Sequence, residues 1–495
     1  MSVWVGVRRR CRASGVVLAC VALFAACSSS SKPAVSSTSR GTSASTTSPA
    51  PSTTAAPAAP LGVTWMAGFT APGTPAMYDK VGVIKVGPAS AKNVLVLEPG
   101  TSGGSAYFVP LAEWIVSTVS GWQVWSVERR ENLLEDQSVL NSFKQGKASA
   151  TQLYNYYLGY IKDPSVKQHY QLIPNSTVEF AKQWGMNVAV QDLHAVIEAA
   201  KGLGGNVVLG GHSLGGSVVT AYATWDFNGR AGADDLAGLV YIDGGSGPES
   251  ISAPAATSEL QTLDAPGASP WLSFGGIGAP YAGVFSATGS ASALLDPDDP
   301  SLGQSSGLLP KNIVPPVPVT NAGQYGYALD VGTSPPSLVA AQGHLGAGLA
   351  AAGPVHGWNG AGALTPLDRF ATMFSGVGIN DVDGSEWFFP QRLTDDTAAV
   401  NNGNANPAQA VLDVNATMGH NLPKTLLIYA FGARLGGPNV LTGAQLLATQ
   451  SQIPAGNLTL ENRQDTYAHN DPAGAYPNNA FFADLVPFLQ KISPS

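Results

Sequence analysis

The chain has 495 residues, of which 44% are hydrophobic and 12% charged, and its formal net charge is −8. The hydrophobic content is too high for a disordered polymer, and the net negative charge is opposite to what a polyphosphate backbone attracts, so we expect no nucleic-acid partner. All three cysteines, Cys11, Cys20 and Cys27, precede residue 28. The rest of the chain therefore offers no disulfide, thiolate metal site or cysteine nucleophile.

The first 27 residues are typical of an export signal. Arginines between positions 8 and 12 precede an apolar stretch, Ala13 to Ala26, that is too short to span a bilayer but suits a signal peptide. Small residues before Cys27 and serines after it resemble a bacterial lipobox, in which the cysteine is lipidated and becomes the new N-terminus. The alternative is an ordinary signal peptide with an incidental cysteine.

Residues 28–60 consist mainly of Ser, Thr, Ala and Pro and predict a disordered linker. Globular composition begins at Leu61, so we expect one folded domain over residues 61–495. Together these features predict an exported protein of the cell envelope. It would be held by a lipid anchor on the outer side of the cytoplasmic membrane, or secreted if Cys27 is unmodified.

Within the domain, short apolar runs alternate with helical patterns. This alternation predicts a mostly parallel sheet with helices on both faces. Strands are expected at 94–97, 122–127, 206–209, 239–242, 425–429 and 458–460, and helices at 151–161, 186–201, 217–225 and 481–492.

One motif in this pattern carries chemistry. Residues 211–215 read Gly-His-Ser-Leu-Gly and fit Gly-x-Ser-x-Gly, with a predicted strand directly before and a helix directly after. This setting is that of a nucleophile elbow, a tight turn that presents Ser213 above the sheet. Here the sequence resembles the α/β-hydrolase family over residues 90–245 and 423–490. The resemblance implies an α/β-hydrolase fold with Ser213 as nucleophile.

A serine hydroxyl needs a general base, and the family places a histidine after the last strand. Of seven histidines, only His469 follows the 458–460 strand, so it is the predicted base. We expect His212 to point away from the site and His194 to be structural. The remaining candidates for a pocket wall are His344, His356 and His420.

The acid that orients this base is less obvious. The family's usual position follows the 425–429 strand, but residues 430–460 contain no Asp or Glu. Asp243 ends the 239–242 strand, where some members, including vertebrate pancreatic-type lipases, carry their acid. Asp243 is therefore the predicted acid, with the capping of an Asp-Gly turn as its alternative role. The reserve candidates are Glu249, Asp383 and Glu461.

Acyl transfer also needs donors for an oxyanion. The resemblance implies the backbone N–H of Leu214 and one donor from the loop after the 94–97 strand. Family members often begin that loop with His-Gly, whereas this chain has Pro99-Gly100. Alignment favours Thr101, followed by Ser102, and the alternative is an ordinary glycine-rich connection.

The stretch between Asp243 and the 425–429 strand is far longer than a simple crossover requires. We predict that residues 245–422 form a cap or lid over the site, and that the tyrosine-rich residues 131–185 pack against it. Seven aromatic residues of this cap are candidates for its core or for the pocket wall: Trp271, Phe274, Trp358, Phe370, Trp387, Phe388 and Phe389.

These residues predict an extracytoplasmic serine hydrolase that cleaves a small-molecule ester or lipid, with no cofactor and no metal. A serine peptidase or an acyltransferase would use the same residues. A non-catalytic envelope binding protein on a hydrolase scaffold is the alternative from another class, favoured by the missing late acid and the missing His-Gly. The sequence does not define an oligomeric state.

Overall fold

A nine-stranded sheet forms the centre of the domain. The computed structural model describes residues 61–351 and 353–493, so the predicted signal peptide, lipidation at Cys27 and linker lie outside the described residues. The strands are β1 (Leu61–Ala67), β2 (Lys80–Val86), β3 (Asn93–Glu98), β4 (Trp122–Glu128), β5 (Val207–His212), β6 (Gly238–Ile242), β7 (Ile379–Asn380), β8 (Leu427–Gly432) and β9 (Leu458–Asn462).

The strand order is β7-β1-β2-β4-β3-β5-β6-β8-β9. The six strands from β4 to β9 along this order pair in parallel, β2 pairs antiparallel with both β1 and β4, and β7 pairs in parallel with β1. This order, with a strand–turn–helix elbow after β5, is the α/β-hydrolase fold, and the predicted fold class is confirmed. Strands β1, β2 and β7 were not predicted: β7 has only two residues, and glycine, threonine or lysine interrupts the apolar residues of β1 and β2.

Helices lie on both faces of this sheet and in the long stretch between β6 and β8. They are α1 (Val109–Thr118), α2 (Ser138–Lys144), α3 (Ala150–Tyr157), α4 (Met186–Lys201), α5 (Leu214–Ala223), α6 (Ala253–Leu263), α7 (Tyr281–Leu295), α8 (Leu302–Ser305), α9 (Asn321–Leu329), α10 (Leu367–Ser375), α11 (Gln391–Asp396), α12 (Pro407–Leu412), α13 (Gly437–Gln450), α14 (Asp471–Gly474) and α15 (Ala480–Ile492).

Side chains alternate between the two faces of the sheet along each strand, and this alternation shows which helices pack on which face. On β3, Val94 and Val96 join the core beneath α4, α5 and α13, whereas Leu95 and Leu97 join the core beneath α1 and α15. A central strand buried on both faces must be apolar throughout, which is why β3 and β5 were readable in the sequence. The described residues contain no helix that is both long and apolar enough to cross a membrane.

The predicted boundaries differ from the observed ones mainly at strand and helix ends. Helix α4 has the predicted limits, whereas α5 begins at Leu214 rather than residue 217, and β8 begins at Leu427 rather than residue 425. The 151–161 prediction covers α3 and a separate 3-10 turn at Gly159–Ile161. Pro487 lies inside α15 without ending it.

Residues 245–422, here called the insert, contribute α6 to α12 and the edge strand β7. The tyrosine-rich residues 131–185 contact the insert, as predicted. The Tyr160 and Tyr281 hydroxyls lie 3.1 Å apart, and the Tyr157 ring packs edge-on against Trp387. Five of the seven aromatic side chains predicted as cap core or pocket wall are buried, which makes them core; these are Trp271, Phe370, Trp387, Phe388 and Phe389.

Candidate active site

The turn after β5 has the geometry of a nucleophile elbow. Ser213 has φ 56° and ψ −127°, a strained conformation for a residue with a side chain, and α5 begins at the next residue. A Cβ atom at Gly211 would lie 2.3 Å from the Gly215 carbonyl oxygen, and one at Gly215 would lie 2.3 Å from that of Glu98. The turn therefore closes only with glycine at both positions.

The predicted base and acid meet at the carboxyl end of the sheet. Nδ1 of His469 lies 2.6 Å from Oδ2 of Asp243, and both side chains are buried. His469 lies between β9 and α14, and Asp243 directly follows β6. A carboxylate on Nδ1 fixes that nitrogen as the protonated one and leaves Nε2 to act as the base.

The loop after β8 contributes to this pair in an unexpected way. The Asp243 carboxylate accepts hydrogen bonds from the backbone amides of four residues in this loop, at 2.7 to 3.1 Å. They are Ala433, Leu435, Gly436 and Gly437. The loop that lacks an acid thus supplies donors to an acid on the neighbouring strand.

These contacts decide the charge of Asp243. Burial alone would raise the pKa of the Asp243 carboxyl, but the hydrogen bond from His469 and the amide donors outweigh burial and lower the pKa below its usual value. Asp243 therefore remains ionised across the neutral range. None of the reserve candidates contacts His469: Glu249 is exposed, Glu461 pairs with Arg463, and Asp383 binds Gln137 and Trp387.

Ser213 and His469 line the same cavity. No hydrogen bond joins their side chains in this structure. Among the described residues, Nε2 of His469 also has no other hydrogen-bond partner, so this nitrogen is open toward the cavity. A long or misaligned contact between nucleophile and base is common in ligand-free hydrolases and tightens when substrate binds.

The loop after β3 lies directly against Ser213. A Cβ atom at Gly100 would come within 2.7 Å of the Ser213 Cβ, so this residue must be glycine. Thr101 and Ser102 line the cavity, and Ser102 has φ 53°. Within the described part of the chain, the backbone amides of Thr101 and Leu214 donate to no protein acceptor. Two unused donors therefore flank the elbow.

His212 does not point away, so this expectation is wrong. Its ring is buried, stacks on Tyr107 and lines the same cavity, and its Nε2 lies 2.9 Å from the His469 carbonyl oxygen. Burial, together with His469, lowers the pKa of His212 to about 3, so the ring is neutral at pH 7. A neutral ring facing a carbonyl must carry its hydrogen on Nε2 and donate it.

Two further residues support the base, and neither carried a sequence signal. The Tyr107 hydroxyl donates to Oδ1 of Asn470 at 3.0 Å. The Asn470 amide donates to the carbonyl oxygens of Ala340 and Gln342 in the insert. The loop that carries His469 is therefore tied both to the elbow and to the insert.

The cavity above Ser213 has a volume of about 370 Å³. The loop after β3, α3 and the insert line it, and Phe274 is the one predicted insert aromatic that does so. Among the described residues, its walls contain no Asp, Glu, Lys or Arg, and its largest apolar side chains are Leu153, Leu158, Phe274, Ile277, Phe285, Leu302, Leu309, Ile313, Leu329, Leu338, Phe374 and Leu435. Of the histidines expected there, His344, His356 and His420 do not line the cavity.

His194 has the structural role expected of it. Its ring stacks on Phe227, and Nδ1 lies 3.2 Å from the Tyr222 hydroxyl. Glu198 and Asp235 lie near it and complete a group of three potential metal ligands. Nζ of Lys201 already binds both of these carboxylates, so the group is a neutralised ion-pair cluster.

No family model and no curated protein sequence matches this chain. Solved structures do match: a candidate lipase from Sulfolobus solfataricus is 14% identical with a TM-score of 0.43, covering 88% of this chain and 97% of the other. Monoglyceride lipase from Saccharomyces cerevisiae (12%, TM-score 0.36, 90% and 100%) and a carboxyl esterase from Bacillus coagulans (11%, 0.37, 88% and 99%) are also similar. Because these TM-scores are below 0.5, the fold assignment depends on this chain's own strand order.

Proposed function

We propose that the protein is a serine hydrolase that cleaves carboxylic esters through an acyl-enzyme on Ser213. The observation that carries the proposal is the buried pair of His469 and Asp243, 2.6 Å apart, beside a serine held at positive φ on the same cavity. A buried His–Asp pair is costly to desolvate, and a strained backbone is costly to fold. Both costs are understandable if the three residues act together as a catalytic triad.

In this mechanism the Ser213 oxygen attacks the ester carbonyl while Nε2 of His469 takes the hydroxyl proton. Asp243 holds the ring and stabilises the imidazolium that forms. His469 then gives the proton to the departing alcohol, which leaves the acyl group on Ser213. Water attacks the acyl-enzyme with His469 again as base, and the acid product is released.

The negative oxygen of the tetrahedral intermediate would be bound by the amides of Leu214 and Thr101, which donate to no acceptor among the described residues. The start of α5 adds the favourable end of a helix dipole at the same place. Preorganised backbone donors cost no reorganisation when the charge develops, which is why they contribute strongly to acyl transfer.

The cavity supports a neutral, apolar acyl group as the substrate. A charged group placed there would be buried without an ion-pair partner, because the described lining residues include no Asp, Glu, Lys or Arg. Esters of small molecules or lipids fit this description, whereas a peptide terminus would lack a counter-ion. A peptidase or an acyltransferase remains the alternative on the same residues, and comparison of ester and amide substrates separates them.

We also propose that the protein acts outside the cytoplasm, tethered through a lipid on Cys27. Support for this comes from the sequence of residues 1–60 alone. Metabolic labelling with an alkyne fatty acid tests it. Label on the native chain should disappear in Cys27→Ser, whereas persistence of the label would contradict lipidation at this cysteine.

The function is tested with a fluorophosphonate probe and p-nitrophenyl esters on the full-length protein. The wild type should be labelled and should hydrolyse the esters, and Ser213→Ala should lose both. Ser217→Ala is a matched control, since this hydroxyl lies one turn along α5 and donates to the Gly245 carbonyl away from the cavity. A folded wild type that neither reacts nor hydrolyses any ester would favour the binding-protein alternative.

A further inference from the structure

A single buried guanidinium holds the loop that follows β3. Arg129 directly follows β4 and is 6% exposed. Its Nε donates to Oε1 of Glu98 at 2.9 Å, and one terminal nitrogen donates to the Gly103 carbonyl at 3.0 Å. The other terminal nitrogen donates to the carbonyls of Gly100, at 3.0 Å, and Pro99. One side chain therefore binds three carbonyls of a single short loop.

The contact with Gly100 fixes the direction of a backbone amide. The Gly100 carbonyl and the Thr101 N–H belong to one planar trans peptide, so they point in opposite directions. Since the carbonyl points at Arg129, the Thr101 N–H must point away from the guanidinium. Gly100 itself lies against Ser213. The Gly103 amide also donates to the Gly100 carbonyl, at 3.1 Å. The orientation of the proposed oxyanion donor is thus set by the two donors, Arg129 and the Gly103 amide, that bind the other end of its peptide.

The rest of the loop is held by the insert. The Gly104 amide donates to the Gly384 carbonyl at 3.0 Å, and the Glu386 amide donates to the Ser102 carbonyl at 2.9 Å. These contacts use the neighbouring peptides and leave the Thr101 amide without a protein acceptor. The loop is therefore fixed on both sides, while the Thr101 amide stays unused beside Ser213.

A guanidinium is suited to this task for two reasons. Its five N–H donors lie in one plane with fixed geometry, so it can bind several carbonyls and a carboxylate at once, which an ammonium cannot do with the same geometry. The positive charge of a guanidinium that donates to a carbonyl oxygen also polarises the peptide and strengthens its N–H as a donor. Glu98 offsets the cost of burying the charge.

We infer that Arg129 is a positioning residue for the oxyanion site: it orients and polarises the Thr101 amide through the Gly100 carbonyl. This inference rests on the proposed function. Arg129 does not line the cavity, so it cannot act by touching the substrate. Replacing Arg129 should therefore destabilise the tetrahedral intermediate and leave the bound ester unaffected. It should lower kcat more than it raises KM.

The chain offers a matched control in the adjacent residue. Arg130 is also buried, but it binds the carboxylates of Asp79 and Asp192 and the Phe69 carbonyl, with no hydrogen bond to residues 99–104. Arg129→Lys keeps the charge beside Glu98 and breaks the multiple carbonyl contacts. It should lower kcat about 100-fold, the scale of losing one oxyanion donor, with KM changed less than about 3-fold. Arg130→Lys should lower Tm and leave kcat close to the wild type.

A ligand pair separates positioning from general damage. The Ser213 hydroxyl oxygen adds to the carbonyl carbon of a trifluoromethyl ketone and forms a tetrahedral oxyanion. The matching amide binds in the cavity without reacting. Arg129→Lys should lower the affinity for the ketone by about the same factor as kcat/KM and leave the affinity for the amide unchanged. Equal losses for both ligands, or an unchanged kcat, would overturn the inference.

Folding is checked by thermal unfolding of every variant. If Arg129→Lys does not fold, Arg129→Gln combined with Glu98→Gln removes both buried charges together and should show the same loss confined to kcat and the ketone. Failure of both variants to fold would make Arg129 purely structural and overturn the inference. An inactive wild type and Arg130→Lys would instead reject the proposed function, so the two failures are distinguishable.

Discussion

Oδ2 of Asp243 lies 2.6 Å from Nδ1 of His469, although 226 positions separate the two residues in the chain. The contact follows from the sheet: β6 and β9 run in the same direction, with β8 between them, so the segments after their carboxyl ends meet at one edge. Four backbone amides from the loop after β8 then complete the carboxylate's surroundings. In the proposed triad the acid follows β6 rather than β8, and the loop after β8 donates hydrogen bonds to it.

Replacement of this acid should disable the base without removing it. In Asp243→Asn, an amide group faces Nδ1, so His469 loses the partner that holds its tautomer and stabilises its positive form. We expect kcat for ester hydrolysis to fall by about 10³ to 10⁴, the scale of the same change in other triads. Steady-state kinetics measures this, with thermal unfolding to confirm a folded protein.

Glu461→Gln is the matched control, because this carboxylate lies on β9, binds Arg463 and does not reach His469. It should retain activity within about 2-fold, since a partly exposed ion pair contributes little. Near-normal kcat in Asp243→Asn, with a large loss in Glu461→Gln or in Asp383→Asn, would assign the acid elsewhere.

His212 should make the fold sensitive to acid. Its pKa is about 3 in the folded protein, lowered by burial and by His469, and near 6.5 when unfolded. The unfolded chain therefore binds more protons between these values. The free energy of unfolding should fall as pH drops from about 6.5 toward 3, by at most about 1.4 kcal/mol per pH unit from this residue.

Urea unfolding at several pH values tests this effect. His212→Gln keeps a donor for the His469 carbonyl but cannot titrate, so its stability should fall less steeply in the same window. His420→Gln is the control, since His420 is exposed and should follow the wild type. Equal slopes for wild type and His212→Gln would show that His212 is not buried in its neutral form.

The uncharged cavity predicts discrimination at the far end of the acyl chain. We expect p-nitrophenyl octanoate to be hydrolysed well, whereas the p-nitrophenyl monoester of suberate, which ends in a carboxylate, should lose at least about 100-fold in kcat/KM. The cause is an unpaired buried charge, which costs several kcal/mol, and about 1.4 kcal/mol corresponds to tenfold. p-Nitrophenyl acetate, which is too short to reach far into the cavity, calibrates the leaving group. Similar kcat/KM values for the two long esters would contradict this substrate class.

What the sequence made predictable is local or periodic. The apolar run of β5 and the glycines around Ser213 identify the elbow, because the backbone there admits no other residues. Position after β9 identifies His469. By contrast, Arg129 and Tyr107 act through carbonyl oxygens and ring contacts made by distant segments, which leave no pattern in the neighbouring sequence. The wrong expectation that His212 points away from the site has the same origin. Its ring contacts Tyr107 and the His469 carbonyl, and only the folded chain brings these groups to it.

The contact between His344 and Asp471, beside the loop of His469, should make stability depend on pH in the opposite direction to His212. The buried Asp471 carboxylate accepts hydrogen bonds from Nδ1 of His344 at 2.6 Å, from the His344 amide, from Thr365 and from the Ala468 amide, so it ties the base loop to the insert. The hydrogen bond to Asp471 raises the pKa of His344 above its usual value, and this outweighs partial burial. A raised pKa means that the folded state holds the proton more tightly than the unfolded chain. The stabilisation is therefore complete below about pH 6.5 and is lost as pH rises through the folded-state pKa.

Differential scanning calorimetry at pH 5.5 and pH 9 measures this dependence. His344→Gln should lower Tm more at pH 5.5 than at pH 9, because only the protonated imidazole forms an ion pair with Asp471. His356→Gln is the control within the insert: among the described residues, Nδ1 of His356 contacts the Ala350 carbonyl and no carboxylate, so this change removes no ion pair with Asp471. A Tm difference for His344→Gln that does not change with pH would mean that the contact is held as a neutral hydrogen bond. The base loop would then have no pH-dependent tether to the insert.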